Sequence, residues 1–416
     1  MFKKKLFLLL FLMLVVYPFA TIFLAKTIII TIFISFYLLL ILECLRRKGL
    51  LLRILLNIKW FLILNIWLIL SFLINQGFDI NGLSGYASTL VFIIITHYSF
   101  LTFGYKRVTF FKYLLFSAFV AMLMADIYLL VQFGSLRAID SEEKKIIGSF
   151  SNVNVALMTS SIVYNSIFYK YSKSKLSLII IIISAVVLIY TESRVGFILM
   201  IASLVYGLYK LSFKYNDIIY SKIIKNIPSA VIAGLIVIFV FPGGEVIART
   251  IDRFGTIQRV GLLAIDDQEN RADLSRRIQY IAAISVISEN PLVGIGAGNF
   301  PHYVQDTYGI YVTAHNLFLK IWVSIGLGGV LIMLFLLYQL YRNIHIKSKK
   351  LLKIGEFEFS DIYSATNFLL ILFVFQGQFR GMLGDLSFLF FLGFAYTLSY
   401  LSIKNQNLQY KNCKHN

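Results

Sequence analysis

Long apolar runs constrain this chain more than any other feature. Lys5–Leu24, Leu176–Tyr190 and Phe388–Ile403 carry few or no internal charges over roughly the length that a bilayer core demands of a helix. Lipid offers no partner to an open backbone N–H or C=O, so only closed hydrogen-bonded architectures can cross it. The runs are continuous and do not alternate in ten-residue segments, which points to an α-helical bundle and away from a barrel. Composition agrees: 59% of the 416 residues are hydrophobic and 14% are charged, whereas a soluble domain is about 45–50% apolar.

The spacing predicts an all-α integral membrane protein of about twelve spans, at 5–24, 27–43, 60–75, 84–103, 108–132, 152–170, 176–190, 195–209, 227–241, 316–340, 362–379 and 386–403. This divides the chain into helices 1–9 (1–241), one large external loop (242–315), helices 10–12 (316–403) and a tail (404–416). The net charge of +19 raises the possibility of a nucleic-acid partner. The sorting of Lys and Arg to one side argues against it. Lys3, Lys4, Lys5, Arg46, Arg47, Lys48, Lys349 and Lys350 fall with both termini on one face, read as cytoplasmic by the positive-inside rule. Met1–Ala20 reads as a retained anchor, because another span follows almost at once. Cys44 and Cys413 have no CxxC spacing, so neither a disulfide framework nor a zinc site is predicted.

Polar residues concentrate between the ninth and tenth spans. Ala272–Ser288 has Leu274, Ile278, Ile281, Ala282, Ile284 and Ile287 at near-helical spacing and predicts an amphipathic helix at the membrane surface, capped by Asp273 or Ser275 and stopped by Asn290-Pro291. Arg276 and Arg277 sit on it, as a solvated charge pair or as contacts for an anion. Arg194, in the short turn TESR, either snorkels and pairs with Glu192 or clamps a phosphate with its planar fork. Gly294, Gly296 and Gly298 lack the strand that a dinucleotide fingerprint requires, and predict a tight turn with close backbone approach. His315, beside Asn316, is a capping residue or a general base. Asp126, inside the fifth span, is a functional candidate or half of a buried pair. His302 and His97 are less well placed.

Taken in order, GSFSNVNVALM (Gly148–Met158), TESRVGF (Thr191–Phe197), SRRIQYIAAISVISENPLVGIGAGNF (Ser275–Phe300) and AHNLFLKIWVSIGLGGV (Ala314–Val330) resemble the O-antigen ligase and polymerase superfamily of bacterial envelope glycosyltransferases. The resemblance implies a GT-C-like enzyme of the inner (plasma) membrane with its active site on the periplasmic face. It implies that Arg194 and Arg276 bind the diphosphate of a polyprenyl-linked glycan, with His315 as the catalytic histidine. Arg276 lies four residues before Tyr280 and fourteen before Asn290, which matches the motif arginine; Arg277 is the fallback. Arg277, Asn316, Gly294, Gly296 and Asn154 are the implied substrate-binding positions. The acid that follows HN in many members is replaced by Leu317–Leu319 and Val323-Ser324, which leaves the acceptor open. Implied partners are an undecaprenyl-diphosphate-linked oligosaccharide, an acceptor glycan or lipid A core, the bilayer and a chain-length regulator. No cofactor, metal or nucleic acid is implied.

The residue types suit that chemistry. Arginines near the outer leaflet stabilise a diphosphate leaving group as the anomeric bond breaks, and a histidine takes the acceptor hydroxyl's proton. A transporter is the competing class; it predicts two matching halves and discontinuous helices. A polymerase is favoured over a ligase because the external face carries no added acceptor-binding domain. The orientation yields a first prediction. Single cysteines at Ser141, Gln268 and Gly381 should react with an impermeant thiol reagent from outside, and ones at Gly49, Ser212 and Ser348 should not. Reaction at position 268 only after lysis would reverse the placement of the active face.

Overall fold

The computed structural model describes residues 56, 59–75, 107–133, 143–191, 193–212, 271–312, 314, 316–377 and 386–400. Among these the fold is helical, without a strand. The helices are α1 (Lys59–Asn75), α2 (Arg107–Phe133), α3 (Glu143–Ser172), α4 (Lys175–Tyr190), α5 (Arg194–Ser212), α6 (Arg271–Glu289), α7 (Phe300–Tyr308), α8 (Leu317–Lys353), α9 (Phe357–Gly377) and α10 (Leu386–Tyr400). Three contain segments long and apolar enough to cross a membrane: Phe111–Val131 in α2, Leu317–Lys353 and Phe357–Gly377. Lys59–Asn75, Lys175–Tyr190 and Val195–Leu211 are shorter apolar helices. Twelve spans therefore exceed what the described residues contain, and those expected at 5–24, 27–43, 84–103 and 227–241 lie outside them. α4 forms through a run of β-branched isoleucines at 179–183. Their weaker helix propensity is overridden where lipid makes intrahelical bonds obligatory.

Two compact units divide the chain. The first contains α2 to α5, the last turns of α8 and the first part of α9. α3 begins at Glu143, ahead of the start expected at 152, so the GSFSNVN element is helical, and its 30 residues span about 45 Å, longer than a bilayer core. α5 lies close against α3. A Cβ on Gly196 would sit 3.2 Å from Val155 Cγ2, and one on Gly207 would sit 2.5 Å from Ser166 Oγ. Because 196 meets 155 and 207 meets 166, the two helices run parallel, held at short range by small residues. Two hydroxyls inside α3 are satisfied by the helix itself: Ser160 donates to Ala156 O at 2.9 Å and Ser166 to Ile162 O at 2.7 Å.

One charged cluster joins three helices of this unit. Lys170 Nζ of α3 lies 2.8 Å from Asp361 Oδ2 of α9, and Lys210 Nζ of α5 lies 3.2 Å from Asp361 Oδ1. Tyr171 donates its hydroxyl to Asp361 Oδ2 at 2.6 Å. Tyr206 stacks on Phe368 at 4.1 Å and donates to Ser364 at 3.2 Å. The end of α8 is tied to α9 by reciprocal bonds, Ser348 Oγ to Ser360 O at 2.9 Å and Ser360 Oγ to Ser348 O at 3.0 Å.

The second unit contains α1, α6, α7, most of α8, the end of α9 and α10. Ala282, Ala283 and Val286 of α6, Phe300 and Val304 of α7, Ala314 ahead of α8 and Val323 within it form its buried apolar cluster. Edge-to-face ring contacts, Trp60 with Phe335 at 4.4 Å and Phe373 with Phe391 at 4.7 Å, join its long helices. Lys347 Nζ donates to Ser399 O at 2.5 Å and Leu398 O at 3.3 Å, meeting the negative end of α10.

Asp361 sets the second prediction. Asp361→Ala leaves Lys170, whose side chain is 3% exposed, without its carboxylate, and breaking such a buried pair costs about 3–5 kcal/mol. The melting temperature of the detergent-solubilised protein should fall accordingly, and adding Lys170→Met and Lys210→Met should recover most of it. An unchanged melting temperature in Asp361→Ala would show that the cluster does not hold α3, α5 and α9 together.

Candidate functional site

The glycine segment acquires its shape from a break in α8. Ile325 (φ −135°, ψ 16°) and Gly326 (φ 70°, ψ −174°) leave helical geometry inside what hydropathy reads as one continuous span. The break frees backbone groups, and the carbonyls of Val323, Ser324 and Ile325 and the amide of Leu327 find new partners. Ile295 N donates to Val323 O at 2.8 Å, Gly296 N to Ser324 O at 3.0 Å, and Leu327 N to Pro291 O at 2.9 Å. Trp322 Nε1 donates to the same Pro291 oxygen at 3.0 Å. From α1, Trp67 Nε1 donates to Ile325 O at 2.8 Å, and Ser71 Oγ to Val293 O at 2.5 Å and Ser324 O at 3.3 Å. A discontinuous helix was the feature expected of a transporter. Here the freed carbonyls of Val323, Ser324 and Ile325 are occupied by protein donors.

Two glycines make this docking possible. A Cβ on Gly294 (φ 67°) would lie 2.6 Å from Val323 O and 2.8 Å from Gly326 N, and one on Gly326 would overlap the Leu292 carbonyl. Backbone therefore approaches backbone, and the amides of Gly294 and Gly296 are used on Asn290 O and Ser324 O. α7, which follows, was not anticipated; its short polar sequence with Pro301 in the first turn ends at Gly309 in the left-handed region.

α6 is the helix expected here and ends at Glu289, where Asn290-Pro291 stops it, but it is not the one-sided amphipathic helix that the spacing predicted, because apolar side chains also lie on its exposed side. It begins at Arg271, so Asp273 and Ser275 fall inside its first turns and not at the cap. Its buried face is Gln279, Ala282, Ala283 and Val286, whereas Tyr280, Ile281 and Ile284 are about half exposed or more. Position 276 falls in helical register with Gln279, Ala283 and Val286, and position 277 with Ile281 and Ile284. Arg277 is exposed. Asn316 caps α8: its Oδ1 accepts from Phe318 N at 2.9 Å and Leu319 N at 3.1 Å. His315 lies outside the described residues.

In the first unit, two further motifs meet. Ser193 caps α5, with its Oγ accepting from Gly196 N at 3.2 Å, and this places Arg194 as the first residue of the helix. The amide-rich, positive end of a helix favours an anion there. Gly196 packs on Val155, so the SRVG turn abuts the GSFSNVN helix. Asn154, beside Val155, donates to Asp126 Oδ1 at 2.6 Å, giving the intramembrane acid a partner. Asp126 Oδ2 and Asn154 Oδ1 have no hydrogen-bond partner among the described residues.

The structure thus gathers Gly294, Gly296, Asn316 and the helix bearing Arg276 and Arg277 in one unit, and Asn154 and Arg194 in the other. Sequence reasoning overlooked Trp67 and Ser71. The signal was present: Trp67, Ser71 and Asn75 recur at helical spacing along one face of an otherwise apolar α1, and Asn75 Nδ2 donates to Ser71 O at 2.7 Å.

Comparison with known proteins places residues 179–334 in a match to the family described as O-antigen ligase. The match covers α5 to α7, most of α4 and the first half of α8, and contains TESRVGF, the α6 arginines, the glycine segment and the AHNLF element. It bears out the resemblance read from those motifs; Gly148–Met158 lies outside it. No curated protein matches the chain.

Docking through glycine yields the third prediction. Gly294→Ala and Gly326→Ala should lower the melting temperature well beyond Gly309→Ala, where a Cβ meets nothing within 4 Å and only the positive φ, about 1–2 kcal/mol, is charged. Hydrogen exchange at Ile295, Gly296 and Leu327 should accelerate in the first two variants alone. Equal effects at all three sites would separate the glycines from the dock.

Proposed function

We propose that this protein transfers a glycan from an undecaprenyl-diphosphate-linked donor to the hydroxyl of an acceptor sugar, and that it thereby polymerises envelope polysaccharide repeat units. The family match supports membrane glycosyltransferase activity of the O-antigen ligase/polymerase type. The observation that carries the finer reading is the segment around α6 and α8. There α6, whose position 276 is in register with its buried face, and the Asn316 cap of α8, which His315 precedes in the sequence, belong to one unit that also holds the glycine dock.

In this mechanism His315 accepts the acceptor hydroxyl's proton as its oxygen attacks the anomeric carbon. The bond from that carbon to the diphosphate breaks with inversion. The electron pair leaves on the diphosphate, whose growing charge Arg276 and Arg194 meet as bidentate donors. No metal takes part, and the reaction runs at the external face of the bacterial plasma membrane. Asn154, Gly294, Gly296, Asn316 and Arg277 are assigned to the surrounding substrate contacts, with a chain-length regulator as a partner. Transfer of a finished chain to lipid A core is the second reading, favoured by the description of the matched family as a ligase.

General-base action yields the fourth prediction. His315→Ala should keep donor binding and lose roughly 10²–10⁴-fold in rate, while His302→Ala, on exposed α7 surface, should lose little. Arg194→Lys and Arg276→Lys should fail almost as badly as the alanine variants, because lysine lacks the planar fork. The measurement is transfer by purified enzyme from lipid-linked donor, with donor affinity in parallel and with EDTA present. Near-normal turnover in His315→Ala, or loss of donor binding equal to the loss of rate, would remove the histidine from this role; inhibition by EDTA would overturn metal independence.

A further inference from the structure

Two polar side chains at the first turn of α8 and beside it have no partner among the described residues. Lys320 is partly buried in an apolar helix, where a lysine is costly unless something anionic meets it. Its backbone N–H closes the first helical bond on Asn316 O at 2.8 Å. Its ammonium has neither an ion pair nor a hydrogen bond among the described residues. Other lysines at buried or half-buried positions are engaged: Lys170 and Lys210 on Asp361, Lys112 on Glu358, Lys347 on the carbonyls ending α10. Side chains in a helix lean toward its N-terminus, so the stem of Lys320 runs back over the turn that starts at Asn316, directly after His315.

Gln376, near the end of α9, is fully buried, and neither Oε1 nor Nε2 has a hydrogen-bond partner among the described residues. A buried carboxamide with both ends unpaired is rare and calls for an explanation. The next residue shows where it lies. A Cβ on Gly377 would be 3.0 Å from Leu317 Cδ2, so α9 meets α8 at the turn that carries Lys320, and Leu317 and Lys320 are neighbours on one helix face. The two groups differ in chemistry. An ammonium only donates and suits a diphosphate, whereas a carboxamide donates and accepts, as a sugar hydroxyl does.

We propose that the first turn of α8 and the end of α9 form a part of the donor site beyond the arginines and histidine already assigned, where Lys320 meets the lipid diphosphate and Gln376 meets a hydroxyl of the adjoining sugar. This rests on the transferase reading and extends it to the junction between lipid and glycan. When the bond from the anomeric carbon to the diphosphate oxygen breaks, the electron pair stays on that oxygen, and the ammonium stabilises the added charge. The acceptor's proton goes to His315, and nothing is oxidised or reduced.

The test uses full-length protein in lipid nanodiscs, with undecaprenyl diphosphate, undecaprenyl monophosphate, inorganic pyrophosphate and the glycan-linked lipid as probes. Lys320→Met should weaken diphosphate binding about ten- to hundredfold, the scale of a charged hydrogen bond, and weaken monophosphate binding less. Lys320→Arg should recover most of it. Gln376→Met should bind the bare lipid diphosphate as wild type does, bind the glycan-linked lipid about tenfold more weakly, and melt no lower, since it removes an unpaired buried group. If wild type binds no polyprenyl diphosphate, the transferase reading itself fails and this inference falls with it. Wild-type binding retained in Lys320→Met and Gln376→Met overturns this inference alone. So does a loss accompanied by lower melting temperature that Lys320→Arg does not repair, and so does pyrophosphate competing as strongly as the lipid.

Discussion

A helix that breaks inside lipid must hand its backbone groups to other protein donors and acceptors, and the arrangement around α8 follows from that requirement. At Ile325 and Gly326 the intrahelical ladder stops. Val323, Ser324 and Ile325 present carbonyls that water cannot reach, and the glycine segment and α1 supply the amides, hydroxyl and indole that meet them. Break and loop therefore depend on each other. Without the loop the broken helix is unsatisfied, and without the break the loop has no carbonyls to dock on. α6 and α7 inherit their positions from this dock, because Ala282, Ala283, Phe300 and Val304 pack against Val323 beside it.

The first unit solves a different problem, that of keeping charge inside an apolar bundle. Asp361 receives two ammonium groups and a phenol, so its two oxygens are shared among α3, α5 and α9. At another level of the same helices, glycines let α3 and α5 run side by side, and that proximity is what brings the Ser193 cap and the Asn154–Asp126 pair to neighbouring turns. Tight packing and polar satisfaction thus act on the same pair of helices.

Much of this was legible from residues. α4 and α5 were bounded because Thr191 to Arg194 interrupts two apolar runs, and α6 because Asn290-Pro291 ends its periodicity. What escaped was non-local. The break in α8 sits in VSIGLGG, where hydropathy stays high and only the loop's carbonyl and amide pattern selects which glycine leaves the helix. α7 is 9 residues of mixed polarity, too short for periodicity to declare itself. Asp126 and Asn154 were both visible as types, but their pairing joins two helices. In α6, apolar residues lie on both sides, so which side faces protein, that of Gln279, Ala282, Ala283 and Val286, became clear only from packing. The expected roles of His315, Arg276 and Arg194 remain proposals, carried by the motifs and their family match.

The dock has one more property. The hydrogen bonds that hold residues 291–296 to α8 run through main-chain oxygen and nitrogen, with the indole of Trp322 as the added side-chain donor, and Trp67 and Ser71 of α1 bond to carbonyls of the same dock. The side chains of Leu292, Val293 and Ile295 take no part in those bonds, and Leu292 projects from the surface. Address and content are thereby separated along a single loop. Glycine and the main chain fix where it sits, Ile295 packs on the cluster around Val323, and Leu292 is left as a position whose side chain can change without touching the bonds that hold the frame.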